Sequence, residues 1–197
     1  MRISNLGTIT LVGRILQVHN AVVEEVFLID STTGYLDIIY ANYEQNEAIS
    51  ETLRLNVDIN TVILNSFGYH ISLSDIEEGM LVDSLFSPIK QGLTPPQADA
   101  DLIIARTYDQ PPLSFIIDRI AKVDIDNSLL FTGDPNNADN QIKFNISNIT
   151  TIRDKDSNPV PLRSLHPGLL VDVLVAHTNF QNAVIPNEAD ALHVQIL

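Results

Sequence analysis

The chain contains neither cysteine nor tryptophan. The first absence excludes thiol nucleophiles, thiolate metal sites and disulfides together. It does not fix a compartment, because an oxidising space permits disulfides without requiring them. Positive charge is also scarce: 11 Lys and Arg stand against 25 Asp and Glu in 197 residues, for a formal net charge of −14. Lys90, Lys122, Lys143 and Lys155 are scattered, and so are the arginines. Phosphate binding needs clustered cations, since counterion release scales with the phosphates neutralised. A chain at −14 is repelled by a polyanion at long range, so nucleic acid and anionic membrane surfaces are both disfavoured partners. No run of 18 uncharged apolar residues occurs, which excludes a membrane-spanning helix by hydropathy. No apolar stretch of signal-peptide length precedes Thr8 and Thr10, so a cytoplasmic protein is expected.

Catalytic signatures are missing as well. The sequence holds no Gly-x-Ser-x-Gly elbow, no phosphate-cradling Gly-rich loop, no dinucleotide fingerprint and no His-Glu-x-x-His. His19, His70, His166, His177 and His193 show no i,i+2 or i,i+4 spacing, whereas a zinc site needs three or four converging ligands. No catalytic residue and no cofactor follow from these patterns.

What the chain does have is apolar bulk and a repeat. Ile, Leu and Val number 24, 23 and 15, while charged residues make up only 18%. That composition fills a core and is far from a disordered one. Sliding the chain by 89 residues puts Asn56 on Asn145, Thr61 on Thr150, Ile63 on Ile152 and Leu73 on Leu162. The same offset puts Gly79 on Gly168, Val82 on Val171, Asp83 on Asp172 and Leu85 on Leu174. A two-residue shift then aligns Pro95-Pro96-Gln97-Ala98-Asp99-Ala100 with Pro186-Asn187-Glu188-Ala189-Asp190-Ala191. Upstream, Gly13-Arg14-Ile15 matches Asp118-Arg119-Ile120 at a different spacing. A tandem duplication is the expectation, with units 1–107 and 108–197 and a stiff joint at Pro111-Pro112, whose prolines cannot donate to a sheet ladder.

Each unit reads as β. Residues 141–146 alternate with period two, as a half-buried strand does. Further strands are expected at 150–152, 169–175 and 191–196, and in the first unit at 71–73, 80–85 and 102–104. Gly79 and Gly168 precede strands at matched positions, where a turn or bulge favours glycine. Residues 26–29 and 35–40, joined by Ser31-Thr32-Thr33-Gly34, form an inserted hairpin. Residues 44–53 have the composition of one short helix or an ordered loop.

The repeated element runs from leucines through a glycine to valines. It is carried by Leu162, Leu165, Gly168, Val171 and Val173, and in the first unit by Leu73, Ile76, Gly79 and Val82. In this it resembles bacterial small-barrel repeats of the OB-like kind. The resemblance covers most of the second unit and about the last half of the first. It implies an all-β fold of two tandem small barrels related by internal duplication, and it carries over no site residues.

Three constellations are candidates for chemistry. Asp154, Asp156 and Asn158 place oxygen ligands at every second position, like the start of a Ca²⁺ loop, but Pro159 stands at the sixth place and Leu165 at the twelfth. An Asp/Asn-rich hairpin turn accounts for the same residues without a metal. Tyr35, Tyr40, Tyr43 and Tyr69 would serve a carbohydrate binder, and a pair of carboxylates between the barrels would serve a hydrolase. The favoured expectation is a non-catalytic binding or assembly module, with a protein partner or a second copy of the chain as ligand.

Overall fold

The computed structural model describes residues 6–30, 32–44, 47–90, 92–110, 113–175 and 187–197. The chain divides into two compact units, Met1–Pro112 and Leu113–Leu197; Pro111 and Pro112 themselves lie outside the described residues. Among the described residues the fold is all-β, and its only helices are single 3-10 turns at Leu73–Asp75, Ala138–Asn140 and Leu162–Ser164.

The first unit holds β1 (Ile9–Val12), β2 (Ile15–Leu28), β3 (Gly34–Glu44), β4 (Glu47–Val57), β5 (Val62–Asn65), β6 (Leu81–Phe86) and β7 (Gln97–Arg106). β2 pairs antiparallel with β3 and with β6, and β3 pairs antiparallel with β4. β4 meets β7 in parallel, and β7 meets β6 antiparallel. The path of pairings β2-β3-β4-β7-β6 therefore returns to β2. β5 continues along β7 in parallel beyond β4, and β1 lies on the first half of β2. Residues of alternating parity fill the interior, among them Leu36, Ile38, Leu53, Leu55, Phe86 and Ile103.

The second unit holds β8 (Ser114–Asp124), β9 (Leu129–Gly133), β10 (Gln141–Asn145), β11 (Thr151–Arg153), β12 (Leu170–Val175) and β13 (Glu188–Ile196). Its pairings run β8-β9-β10-β13-β12 and back to β8, with β10–β13 parallel and the other four antiparallel. β11 continues along β13 in parallel, as β5 does along β7. Ile120, Leu130, Phe144, Val171, Val173 and Val194 form its core.

The expected strands at 141–146, 169–175 and 191–196 correspond to β10, β12 and β13. The expected hairpin is β2–β3, closed by the Ile29 N–H donating to the Thr33 carbonyl at 2.9 Å; Ser31 of its turn lies outside the described residues. It is not an insertion, because β8–β9 pair antiparallel at the same place in the second unit. Further expectations are corrected. Residues 71–73 are not a strand, because the chain there turns into the 3-10 helix Leu73–Asp75. Residues 47–53 are strand, not helix or loop, because β3 supplies an eleven-residue partner and every β4 residue pairs with it. Long-range pairing outweighs the weak local helical composition of Glu44 to Leu53. The upstream match also changes register. The Gly79 N–H donates to the Val23 carbonyl and the Gly168 N–H to that of Ile120, so Val23, not Ile15, corresponds to Ile120. Both glycines sit at positive φ, +85° and +91°, with open space where a Cβ would stand, so backbone conformation alone favours glycine there.

The shared Ala-Asp-Ala segments open β7 and β13. Arg54–Asn56 pair in parallel with Gln97–Asp99, and Lys143–Asn145 pair likewise with Glu188–Asp190. The Asn56 amide donates to Asp99 Oδ1 at 3.0 Å, and the Asn145 amide to Asp190 Oδ1 at 3.0 Å. Thr61 Oγ1 donates to the Ala100 carbonyl at 2.8 Å, and Thr150 Oγ1 to that of Ala191 at 2.7 Å. These repeated residues thus stitch the parallel junction in each unit. Pro186 lies outside the described residues.

Candidate binding face

The turn at residues 29–33 sets the register of β2 against β3 so that Phe27 lies opposite Tyr35. Both side chains leave the sheet on the face away from the core, and their rings stack with centroids 5.0 Å apart and an interplanar angle of 12°. One strand further, Arg54 reaches back over Tyr35, its guanidinium carbon 3.7 Å from the ring centroid. Asp37 holds that guanidinium by two bonds, Nε to Oδ1 at 2.7 Å and Nη2 to Oδ2 at 2.6 Å. The bond with Asp37 keeps Arg54 above its ordinary value despite some desolvation. Phe27, Leu28 and Ile29 remain 47%, 45% and 70% exposed at the end of the same strand. An exposed apolar run beside an oriented guanidinium is costly to leave in water, and such patches mark interaction sites.

The corresponding face of the second unit is built from different residues. Lys122 on β8 sits over the Phe131 ring at 5.4 Å, and Lys143 on β10 lies opposite Phe131 while pairing with Glu188 at 2.7 Å. Aromatic, cation and carboxylate therefore recur across neighbouring strands in both units.

The sequence pointed to only part of the first face. Tyr35 belongs to it, but Tyr40 is buried and donates to Glu51 Oε2 at 2.6 Å; burial, the bond with Glu51 and its charge all raise the Tyr40 phenol pKa. Tyr43 and Tyr69 are exposed, yet Tyr43 is eight residues along β3 from Tyr35, about 26 Å at strand rise. The four tyrosines do not form one platform. Phe27 and Arg54 were missed, because only cross-strand register brings them to Tyr35. An aromatic on each side of the turn was the one signal available in the sequence.

Asp154, Asp156 and Asn158 form a turn after β11. Asp154 Oδ1 accepts from the Asp156 and Asn158 N–H groups, each at 2.9 Å, and the Asn158 amide also reaches it at 3.3 Å. Slight burial raises the Asp154 carboxyl, but these bonds and the Lys155 charge outweigh it and hold it below the usual carboxylate value. Asn65 closes the matching turn after β5, its side-chain oxygen accepting from the Phe67 and Tyr69 N–H groups at 2.9 and 3.0 Å. The carboxylate at 154 does the work of a neutral amide at 65. Among the described residues no group of three or more His, Asp or Glu is placed to hold a metal ion.

Two clefts lie at matching places. One, of about 230 Å³, is lined by Val57, Asp58, Thr61, Ile63, Ile71 and Leu73 among others. The other, of about 350 Å³, is lined by Ile146, Ser147, Thr150, Ile152, Val160 and Leu162 among others. Val57, Ile63, Ile71 and Leu73 of the first correspond to Ile146, Ile152, Val160 and Leu162 of the second at the 89-residue offset, while Asp58 is replaced by Ser147 and Ile59 by Asn148.

His193 on β13 is buried, with Nδ1 2.6 Å from Thr151 Oγ1; His177 lies outside the described residues. Burial pushes the His193 imidazole down to about 3, the Arg153 charge adds to that, and a bond with Gln195 opposes it. In the unfolded chain the ring takes up a proton near its ordinary value of 6.5. Between about pH 6.5 and 3 the unfolded state therefore binds the extra proton, and stability falls as the pH is lowered through that window. The unfolding midpoint of the wild type is expected to drop more between pH 7 and pH 4.5 than that of His193→Leu. Parallel profiles from calorimetry would show that His193 is not a source of acid sensitivity.

No protein-family model matches the chain, and no curated protein or solved structure matches it either. No helix among the described residues is long and apolar enough to cross a membrane.

Proposed function

We propose that the chain is a non-catalytic binding or assembly module built from two small barrels of the OB-like kind related by duplication. Two paths of pairing that close in the same order, each with a single parallel step, β4 to β7 and β10 to β13, support the barrel part. The twice-used Asn–Asp and Thr–carbonyl bonds support the duplication.

The observation that carries the binding reading is the exposed Phe27–Tyr35 stack under Arg54. Aromatic residues and arginine supply much of the energy at protein interfaces, and here they are pre-ordered by the sheet and by Asp37. The partner is another protein or a second copy of this chain. Nucleic acid is disfavoured by the −14 charge.

Light scattering across a concentration series, with pull-down from a lysate, tests the reading. The wild type is expected to form a defined oligomer or a stoichiometric complex. Phe27→Ala and Arg54→Ala are each expected to weaken it about tenfold or more. A strictly monomeric protein that retains nothing refutes the module reading. Retention untouched by both substitutions removes the face from it.

A further inference from the structure

The β3–β4 hairpin runs well past the point where its counterpart in the second unit stops. Asn56 and Asn145 make the same bond, to Asp99 and Asp190, and so anchor the comparison. Four residues before Asn145, the pair Gln141–Gly133 ends the β9–β10 ladder. Four residues before Asn56, the pair Thr52–Ile39 is followed by further pairs from Tyr40–Glu51 to Glu44–Glu47.

Within that extension β4 has an open edge. The Arg54 N–H turns away from β3 and donates to the Pro96 carbonyl at 2.9 Å. Across β3, the Ala41 N–H turns away from β4 and donates to the Gly7 carbonyl at 2.9 Å. Ala41 lies opposite Ser50, so both bonds set the same phase for the ladder. In an antiparallel pair, residues whose backbone groups face the partner alternate with residues whose groups face away. The N–H and C=O groups of Ala48, Ser50 and Thr52 therefore point outward, away from β3. β7 meets β4 only at Arg54–Asn56, and among the described residues no other strand or bridge pairs with β4 over 48–52.

The charge around this edge is of one sign. Over the extension, residues 39–44 of β3 and 47–52 of β4 carry no Lys or Arg, whereas Glu44, Glu47 and Glu51 all lie there; Arg54 at its base is held by Asp37. Glu47 is exposed on β4 itself, and Glu51 on the same face is half-buried, its carboxylate accepting from Tyr40 and Asn42 of β3. On the opposite face Glu24 accepts from Thr52 Oγ1 at 3.1 Å. A second copy of this edge would bring like charges together across the new ladder, which is destabilising.

We propose that the β4 edge takes up an extended, basic peptide segment of a partner protein as an added strand. Three outward donors and three outward acceptors over Ala48–Thr52 give the segment its affinity, as in other strand-addition complexes. Lys or Arg side chains alternating along the segment meet Glu47 and Glu51 on one face or Glu24 on the other. The assignment rests on the binding-module reading and names its partner class.

The test is fluorescence anisotropy of the full chain with three labelled eight-residue probes. The first alternates Lys and Thr, the second replaces Lys by Glu, and the third is the Lys probe N-methylated throughout its interior. The Lys probe is expected to bind, and both others to bind at least tenfold more weakly. Ser50→Pro removes an outward donor while leaving the ladder to β3 intact, since that N–H faces away from it. It is expected to weaken the Lys probe at least tenfold, with an unchanged melting temperature.

Failure of the wild type to bind the Lys probe overturns the proposal, as does equal affinity for the N-methylated probe. Equal binding of the Glu probe overturns the basic specificity. A dimer that Ser50→Pro converts to monomer assigns the edge to a second copy instead, which also overturns it. Probe binding lost in Phe27→Ala but kept in Ser50→Pro overturns the edge site and leaves the module reading standing. The module reading itself falls only by the scattering and pull-down result.

Discussion

Phe144→Ala is expected to destabilise the second unit by about 3–5 kcal/mol, the usual cost of removing a fully buried aromatic ring. Phe144 has no exposed surface. It stands on β10 between Leu130 on β9 and Ala189 on β13. Ala189 has no further side chain to move into the space, and the parallel junction behind it is held by Asn145 and Asp190, so the cavity has little scope to collapse. The loss is a large share of the roughly 5–15 kcal/mol that holds a domain together. Urea unfolding followed by circular dichroism should show the midpoint falling with an unchanged slope. Phe144→Leu, which keeps most of the volume, should lose less than half as much. Equal losses for both would mean that the ring does not fill the core.

Asp83→Leu is expected to cost the first unit about 3–5 kcal/mol, because it strands a buried cation. Asp83 and Arg106 are 1% and 4% exposed, with Arg106 Nε 3.8 Å from Asp83 Oδ2. The same carboxylate accepts the Asn20 N–H at 2.7 Å, and Asn20 is held at φ 54°, a conformation that few non-glycine residues adopt. The Arg106 guanidinium also donates to the Asn20 side chain and to the Gln110 carbonyl. One buried pair thus fixes a bulge in β2, where its register against β6 shifts between Val18 and Ala21. Arg106→Leu should cost a similar amount, while the double variant Asp83→Leu/Arg106→Leu should cost less than the two singles together. Additive losses would show that the two groups are not coupled. Asp83 falls on Asp172 at the 89-residue offset, but Leu197 stands where the second unit would place Arg106.

These sites were legible in the sequence to very different degrees. The 89-residue offset found Asn56, Asn145, Thr61 and Thr150 as repeated letters, and the structure supplies their role: each bonds across the parallel junction of its unit, β4 with β7 or β10 with β13. The Ala-Asp-Ala segments aligned in the sequence, and their aspartates accept from the matching asparagines. The acidic trio at 154–158 was visible as a turn, and its first carboxylate closes that turn. The Arg54–Tyr35–Phe27 stack was not visible, because it joins three strands through two separate registers. The upstream alignment also failed there: β2 carries a bulge and an extra length that shift it by eight residues against β8.

The sequence alone determined the β class, the position of the β2–β3 hairpin and the strands β10, β12 and β13. β10 is written as period-two alternation and the others as short apolar runs between turn formers, signals that lie within a few residues. Tertiary structure alone decided that residues 47–53 are strand, that Val23 faces the loop glycine as Ile120 does, and that residues 48–52 of β4 pair with β3 and with no other strand among the described residues. Those outcomes depend on which backbone groups find partners dozens of residues away. A hydrogen-bonding edge belongs to the pairing of strands, so no local pattern of letters records whether it is filled or open.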